Sequence, residues 1–325
     1  MRIATWNVNS LKARQEKVDW WLDRAAPDVL LMQETKLADS DAPDMAFRMD
    51  GYQLIHHGEG RWNGVAAAVR EGLEVSEVET NFGDGPVRNS GAGATGLDEE
   101  DFNPSDEARM LSFRVGSAGG AGAAASGTSA AGGARPREPI RFVSLYAPNG
   151  RVVGSPFYAG KLRWFERARR WLDVARRPGE PLVIGGDLNI APADVDVWDP
   201  RAAHGGTHVS EPERAAFEAL LAWGLHDTFR EAHPDLRGRF TWWDYRAGNF
   251  HKNFGMRIDH LLVSDPIAQR VVAVEIDREA RKGKPIPSDH APLVMDLDAP
   301  GKAFEAGWDD AAARILARGG LLPTR

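Results

Sequence analysis

Polar residues of catalytic type recur at the ends of apolar, β-favouring runs in this sequence. Asn7 and Asn9 follow "RIATWNV", and Glu34 closes "DVLLMQE". Tyr146 and Asn149 end "FVSLYAPNG", Asp187 and Asn189 follow "LVIGG", and Asp259 lies within "MRIDHLL". Asp289 and His290 open the last run, "SDHAPLVMDL". One Asp or Asn after a strand is ordinarily a turn residue, but repetition at strand end after strand end is hard to explain as turns. If these ends meet at one edge, they gather carboxylates, amides, a phenol and an imidazole. Such a set, oxygen-rich and free of thiolates, suits a hard cation that keeps several waters, Mg²⁺ or Mn²⁺. With a metal, a carboxylate base and an imidazole, the fitting reaction is hydrolysis of a phosphate ester by in-line attack of water. Asp187 would position and deprotonate that water.

Neighbouring side chains of a regular strand point to opposite faces. Asp289 and His290 can therefore share a site only from the loop before the strand, where Pro285, Pro287 and Ser288 indicate irregular backbone. "HGGTH" holds His204 and His208 four apart, but two intervening glycines argue against a helix presenting both to zinc. "GGDLN" has the glycines of a phosphate cradle, yet Asp187 directly after them would repel a phosphate. No nucleophile elbow, Walker loop or dinucleotide fingerprint is present.

The elements that must carry these residues alternate between helix-like and strand-like, the pattern of an α/β protein. "LKARQEKVDWWLDRAAP" has a helical stripe at Leu11, Val18, Trp21, Leu22 and Ala25, with Ser10 as N-cap. Ser155 and Pro156 open a second helix with the stripe Phe157, Leu162, Phe165, Ala168 and Leu172. "SEPERAAFEALLAWG" is a third, capped by Ser210 and stopped by Gly224. "GVAAAVR", "RMLSFRV", "IRFVSLY", "PLVIGGDLN", "RFTWWDY", "MRIDHLLVS" and "VVAVEID" read as strands. Between two of them, residues 116–134 are only Gly, Ala, Ser and Thr, a composition expected of a dispensable, disordered hairpin loop. The tail "GWDDAAARILARGG" fits a short helix.

At 325 residues, with 42% hydrophobic and 27% charged residues, the chain has ordinary globular composition. No apolar run is long enough for a membrane span, and the N-terminus reads as a strand rather than a leader, so a cytoplasmic address is expected. The absence of cysteine excludes disulfides, thiolate zinc sites and cysteine nucleophiles. The net charge of −7 is concentrated: Leu97–Glu107 holds six acids and no base. Arg237–Arg257 holds five Lys/Arg against one Asp, and "GKLRWFERARRW" should form a basic outer helix face. A basic zone on an acidic protein leaves a nucleic-acid partner open.

Seven segments in order, "ATWNVNSL", "LMQETK", "YAPNG", "GGDLNIAP", "FTWWDYR", "MRIDHLL" and "PSDHAPL", resemble the exonuclease III family of bacterial apurinic/apyrimidinic endonucleases. That family lies within the endonuclease/exonuclease/phosphatase superfamily. The resemblance covers residues 1–298, which would form one catalytic domain, and is interrupted near 84–138. It implies a DNase I-like four-layer α/β sandwich, two mixed sheets face to face with helices outside. By motif it makes Glu34 the principal Mg²⁺ ligand, with Mn²⁺ as a substitute. Asn7 and Asp289 would lie near the metal or reach it through water, and Asp187 and Asn189 would complete the set. Asp187 resembles the base, Asn189 its hydrogen-bonding companion, and His290 the contact to a non-bridging phosphate oxygen, with Asp259 orienting its ring. Tyr146 and Asn149 resemble phosphate and leaving-group contacts, to which Arg151 would add charge. Trp242, Met256 and Ile258 match an apolar pocket for a flipped, base-less sugar. Arg237, Arg239, Arg246, Lys252 and Arg257 would contact backbone phosphates. The implied substrate is duplex DNA with abasic sites or blocked 3′ ends, with 3′→5′ exonuclease activity besides, and a monomer is the default expectation for a nuclease that must embrace a duplex.

Two other readings remain. A phosphatase of inositol phosphates, nucleotides or phospholipids would share Glu34, Asp187, Asn189, Asp289 and His290, and only "TWWDYR", the basic loop and "WNVNSL" favour DNA. A non-catalytic DNA-binding protein would not need all of these residues together.

Overall fold

The computed structural model describes residues 1–83, 107–117, 138–304 and 308. Nearly all of the Gly/Ala/Ser/Thr stretch, the acidic segment and the helix read in the tail lie outside the described residues. Strands β1 (Arg2–Asn7), β2 (Val29–Gln33), β3 (Tyr52–His57), β4 (Val65–Arg70), β11 (Val271–Ile276) and β12 (Leu293–Leu297) form one sheet, ordered β11-β12-β1-β2-β4-β3. Strands β5 (Leu73–Thr80), β6 (Met110–Ser117), β7 (Ile140–Tyr146), β8 (Leu182–Asp187), β9 (Leu225–Asp227) and β10 (Asp259–Ser264) form the other, ordered β5-β6-β7-β8-β10-β9. The helices are α1 (Leu11–Ala25), α2 (Asp44–Met49), α3 (Pro156–Ala175), α4 (Pro200–Ala203), α5 (Glu211–Leu221), α6 (Thr228–Ala232), α7 (Asn249–Lys252) and α8 (Asp265–Ala268).

Period-two alternation builds the layers. Ile3, Leu31, Phe142, Val183 and Leu261 point inward and fuse the two sheets in one core. Ala4, Trp6, Leu30 and Met32 point out of the first sheet onto Val18, Trp21 and Leu22 of α1. Val143, Leu182, Ile184 and Leu262 point out of the second onto Trp164, Phe165 and Leu172 of α3 and Phe217 of α5. The result is the four-layer sandwich of the sequence expectation. Ser10 caps α1 through Ala13 N–H, and Ser155 caps α3 through Tyr158 N–H.

Topology collects the strand ends. β1 and β2 are parallel, as are β7 and β8, so their C-terminal ends lie at one edge. β12 and β10 run antiparallel to β1 and β8, so their N-terminal ends lie at that same edge. Every polar strand end in the chain's pattern therefore faces one rim. Beneath it the sheets approach closely: a Cβ on Gly185 would stand 2.6 Å from Leu31 Cδ1. The glycines of "GGD" thus serve close packing of backbone, not a phosphate cradle.

Several expectations need correction. "RFTWWDY" is not a strand but a loop with isolated bridges from Trp242 to Met256 and His290. Phe240 and Trp243 are the core residues there, Trp243 standing edge-on to Phe250 at 5.2 Å, whereas Trp242 is half-buried. The stripe of α3 is rotated: Tyr158, Trp164 and Trp171 are buried, whereas Phe157 and Leu162 are half-buried. Lys161 belongs to the buried stripe, not to a basic outer face, because it pairs with buried Glu213 of α5. Arg257 is no phosphate contact: it is fully buried and bridges Asp196 (2.7 Å) and Asp227 (2.8 Å). Arg239 is also buried, its guanidinium over the Trp308 ring at 4.5 Å. Arg237 and Arg246 remain exposed and Lys252 is half-buried.

Replacing Arg257 with Ala strands two carboxylates in the core, so Arg257→Ala should destabilise the fold by about 3–5 kcal/mol. Denaturant unfolding at neutral pH measures this, and a loss below about 1 kcal/mol would contradict the buried-pair reading.

Candidate active site

Parity decides which strand-end residues meet. Asn7 shares the inward face of β1 with Ile3 and Thr5, and Tyr146 that of β7 with Phe142 and Ser144. Asp187 shares the inward face of β8 with Val183, and Asp259 that of β10 with Leu261. Asp187 and Asp259 are register partners across β8 and β10. Glu34 follows β2 in the left-handed region, at φ 53°, and so turns back toward the rim.

Asn7 joins the sheets: its Nδ2 donates to Glu34 Oε1 at 2.8 Å and to Asp187 Oδ2 at 2.9 Å. Asp187 Oδ1 accepts from Asn189 N at 2.9 Å, and Asn189 Oδ1 accepts from Asn149 Nδ2 at 3.2 Å. The loop before β12 is pinned by Ser288, whose hydroxyl donates to Asn7 O at 2.6 Å and accepts from His290 N. Trp6 Nε1 donates to His290 O at 3.1 Å. These bonds hold His290 so that Nδ1 meets Asp259 Oδ2 at 2.8 Å and Nε2 lies 3.8 Å from Asp187 Oδ2.

Asp289 leaves in the other direction. Its oxygens accept from Asn9 Nδ2 (2.9 Å) and Trp242 Nε1 (3.1 Å). Asn9 in turn accepts from Lys36, which also pairs with Glu34 at 2.8 Å. Sequence reading placed Asn9 among the polar strand ends but gave Lys36 no role, although a lysine two residues after a candidate metal acid was the available signal. It also passed over Arg109, whose guanidinium stands 4.6 Å from the Tyr146 ring centre.

Electrostatics separates these groups. Burial raises the Asp187 carboxyl to about 7, assisted by Asp259. Burial opposes charge on His290, but the carboxylates, Asp259 foremost, outweigh it and lift the imidazole to about 10. Burial also pushes Glu34 upward, yet Lys36 and the Asn7 amide prevail and hold it below its ordinary value. Burial and nearby Glu34 keep the Tyr146 phenol protonated well beyond its usual range. At neutral pH the centre thus offers an ionised Glu34, a poised Asp187 and a cationic His290. Asp187, Asp259 and His290 have ligand atoms within 4.8 Å of one another, a grouping that all three could offer a metal ion only with the imidazole deprotonated, and Asp259 Oδ1 is buried without a partner. Such an arrangement can deprotonate water and stabilise an anion beside it.

Trp242, Met256 and Ile258 do assemble, with Ala191, Val197 and Val209, into one apolar cluster beside this centre. Ile258 is buried within it, whereas Trp242 and Met256 stay half-open. Arg151 meets the site through its backbone N–H, which donates to Asn149 Oδ1 at 3.1 Å. Arg151 stacks on Phe157 at 3.6 Å, and exposed Arg246 pairs with Asp244.

A sequence model of the endonuclease/exonuclease/phosphatase family matches residues 4–290. Exodeoxyribonuclease III of Haemophilus influenzae is 28% identical over 305 residues, covering 91% of this chain and all of that protein. The solved structure of an AP endonuclease from Archaeoglobus fulgidus superposes with a TM-score of 0.74 at 32% identity, covering 92% of this chain and 100% of that one. A 3′ phosphatase from Neisseria, solved bound to product DNA hairpin, gives 0.73 at 32% identity with the same coverage.

Proposed function

The chain belongs to the endonuclease/exonuclease/phosphatase family, in its exonuclease III branch, and from that premise we propose a Mg²⁺-dependent DNA-repair phosphodiesterase. Residues 1–298 would act as one catalytic unit that incises duplex DNA 5′ to abasic sites and leaves a 3′-hydroxyl. The same centre would remove 3′ nucleotides and clean blocked 3′ ends. The observation that carries this reading is the apolar cluster of Trp242, Met256 and Ile258 beside the Asp187–His290–Asp259 group. A pocket walled by these side chains accepts a sugar only when no base is attached, and unstacking costs least at a damaged nucleotide.

The donor set fits a divalent cation: carboxylate oxygens of Glu34 and Asp187 converge on the Asn7 amide, whose Nδ2 donates to both, and Glu34 stays ionised. Glu34, Asn7, Asp187 and Asn189 would hold Mg²⁺, with Asp289 reaching it only through water. Bound there, the cation would neutralise charge on the phosphate and its leaving oxygen. Asp187 takes the proton of the attacking water, and Asn189, tied to Asp187 through its backbone N–H, orients that water. His290, held by Asp259, donates Nε2–H to a non-bridging oxygen as negative charge accumulates. Asn149 and the neutral Tyr146 phenol donate toward the phosphate and the departing 3′ oxygen. Exposed Arg151 and Arg246 attract the duplex backbone without specifying sequence.

The test is a duplex with one central abasic-site analogue, incubated with Mg²⁺, with Mn²⁺ or with EDTA. Cleavage 5′ to the lesion in either metal, abolished by EDTA, is the expected result. Turnover of small phosphate esters without incision would assign the site to the phosphatases instead.

A further inference from the structure

Behind the Asp187–Asn189 turn lies a buried polar cluster that the mechanism above does not use. Asn189 is in the left-handed region at φ 52°, and its backbone carbonyl accepts two hydrogen bonds. One comes from Lys161 Nζ of α3 at 2.6 Å, the other from His208 Nδ1 at 2.6 Å. A carbonyl oxygen only accepts, so Nδ1 of His208 must carry the hydrogen. Glu213 backs both donors: it pairs with Lys161 and accepts from His208 N at 3.0 Å and from the Ser210 hydroxyl. Thr207 Oγ1 donates to Asn149 O at 3.1 Å, and Ala191 N donates to His208 O at 2.8 Å. The segment around His208 is thus laced to both loops that carry the site amides. His208 itself sits at φ 75°, in a region that non-glycine residues seldom adopt, although Asn, Asp and His are enriched there.

We propose that His208 is a positioning residue. Its Nδ1–H, backed by Lys161 and Glu213, fixes the Asn189 carbonyl and thereby the direction in which Asn189 and Asp187 hold the attacking water. The second histidine of "HGGTH" acquires a role that requires no metal. The inference rests on the reading of Asp187 and Asn189 given above. Displacing a positioned group by a fraction of an ångström is costly in rate, although binding of the duplex backbone need not change.

Three variants separate the lost donor from backbone strain. Gly and Asn both tolerate φ 75°, but only Asn can return an N–H to the place of Nδ1. His208→Gly and His208→Ala should lower kcat for 3′→5′ degradation of plain duplex by about tenfold or more. KM should stay within about twofold. His208→Asn should restore most of kcat, with the thermal midpoint of the Gly and Asn variants close to the starting protein. Equal kcat for Gly and Asn variants would overturn the proposal. So would failure of both to fold, which would make His208 a folding residue. Plain duplex ends keep this comparison readable even if wild type fails to incise an abasic site, an outcome that would remove the repair reading alone.

Discussion

Asp187→Asn should lower kcat for incision by about two to four orders of magnitude, the range expected when a general base is removed. The exchange preserves shape but not chemistry. Both Asp187 oxygens accept hydrogen bonds, from Asn7 Nδ2 and Asn189 N, so the new amide must turn an N–H toward one donor. The carboxylate it removes is buried and already pushed up to about 7, so the fold gives up little by losing it. Duplex affinity should hold or rise, because a negative charge leaves a site that receives phosphate. Single-turnover cleavage paired with filter binding in EDTA measures both quantities. A variant that binds DNA and still cleaves within about tenfold of wild type would remove Asp187 from the role of base.

The second large effect concerns His290 and its pH profile. A group lifted to about 10 is cationic at neutral pH and loses its proton only as the solution becomes strongly alkaline. Asp187, lifted to about 7, gains its base form as pH rises through that value, and a bound divalent cation would move this limb lower. Wild-type kcat should therefore climb on the acid side, hold a plateau and decline toward pH 10. His290→Asn should cost about a hundredfold or more on the plateau, since a charged donor to the developing anion is lost. Asp259→Asn keeps the imidazole but removes the carboxylate foremost in raising it, so the alkaline limb should shift to lower pH. An alkaline limb unmoved in Asp259→Asn would show that His290 is not the titrating cation.

Much of this arrangement is legible in the chain because strands obey a period of two. Asn7, Tyr146, Asp187 and Asp259 each fall in phase with the inward apolar residues of their strands, so each was bound to reach the same cleft. Helix caps at Ser10 and Ser155 are likewise local, decided within one turn of chain. "RFTWWDY" shows where local reading fails. Its composition favours a strand, but Thr241 and Trp242 spend their backbone bonds on Met256 and Trp243 spends its own on Asp289, so no ladder forms. The phase of α3 was misjudged for a related reason. Lys161 counts as surface in any hydropathy pattern, and its burial is made tolerable by partners distant in sequence, Glu213 52 residues away and the Asn189 carbonyl 28 residues away.

The sequence by itself determined the residue types, their order and their phase, hence an α/β sandwich with an oxygen-rich rim and no thiolate chemistry. These follow from steric periodicity and side-chain chemistry, which act over a few residues. Only the tertiary structure decided which groups pair: Lys36 with Glu34, Asp289 with Asn9 and Trp242, Arg257 with Asp196 and Asp227, His208 with Asn189. Asp289 and His290, neighbours in the chain, diverge because Ser288 and Trp6 pin the backbone at His290, turning one toward Asn9 and Trp242 and the other toward Asp259 and Asp187. Pairing of this kind depends on distances across strands far apart in sequence, and on burial that makes an unpaired charge too costly to leave.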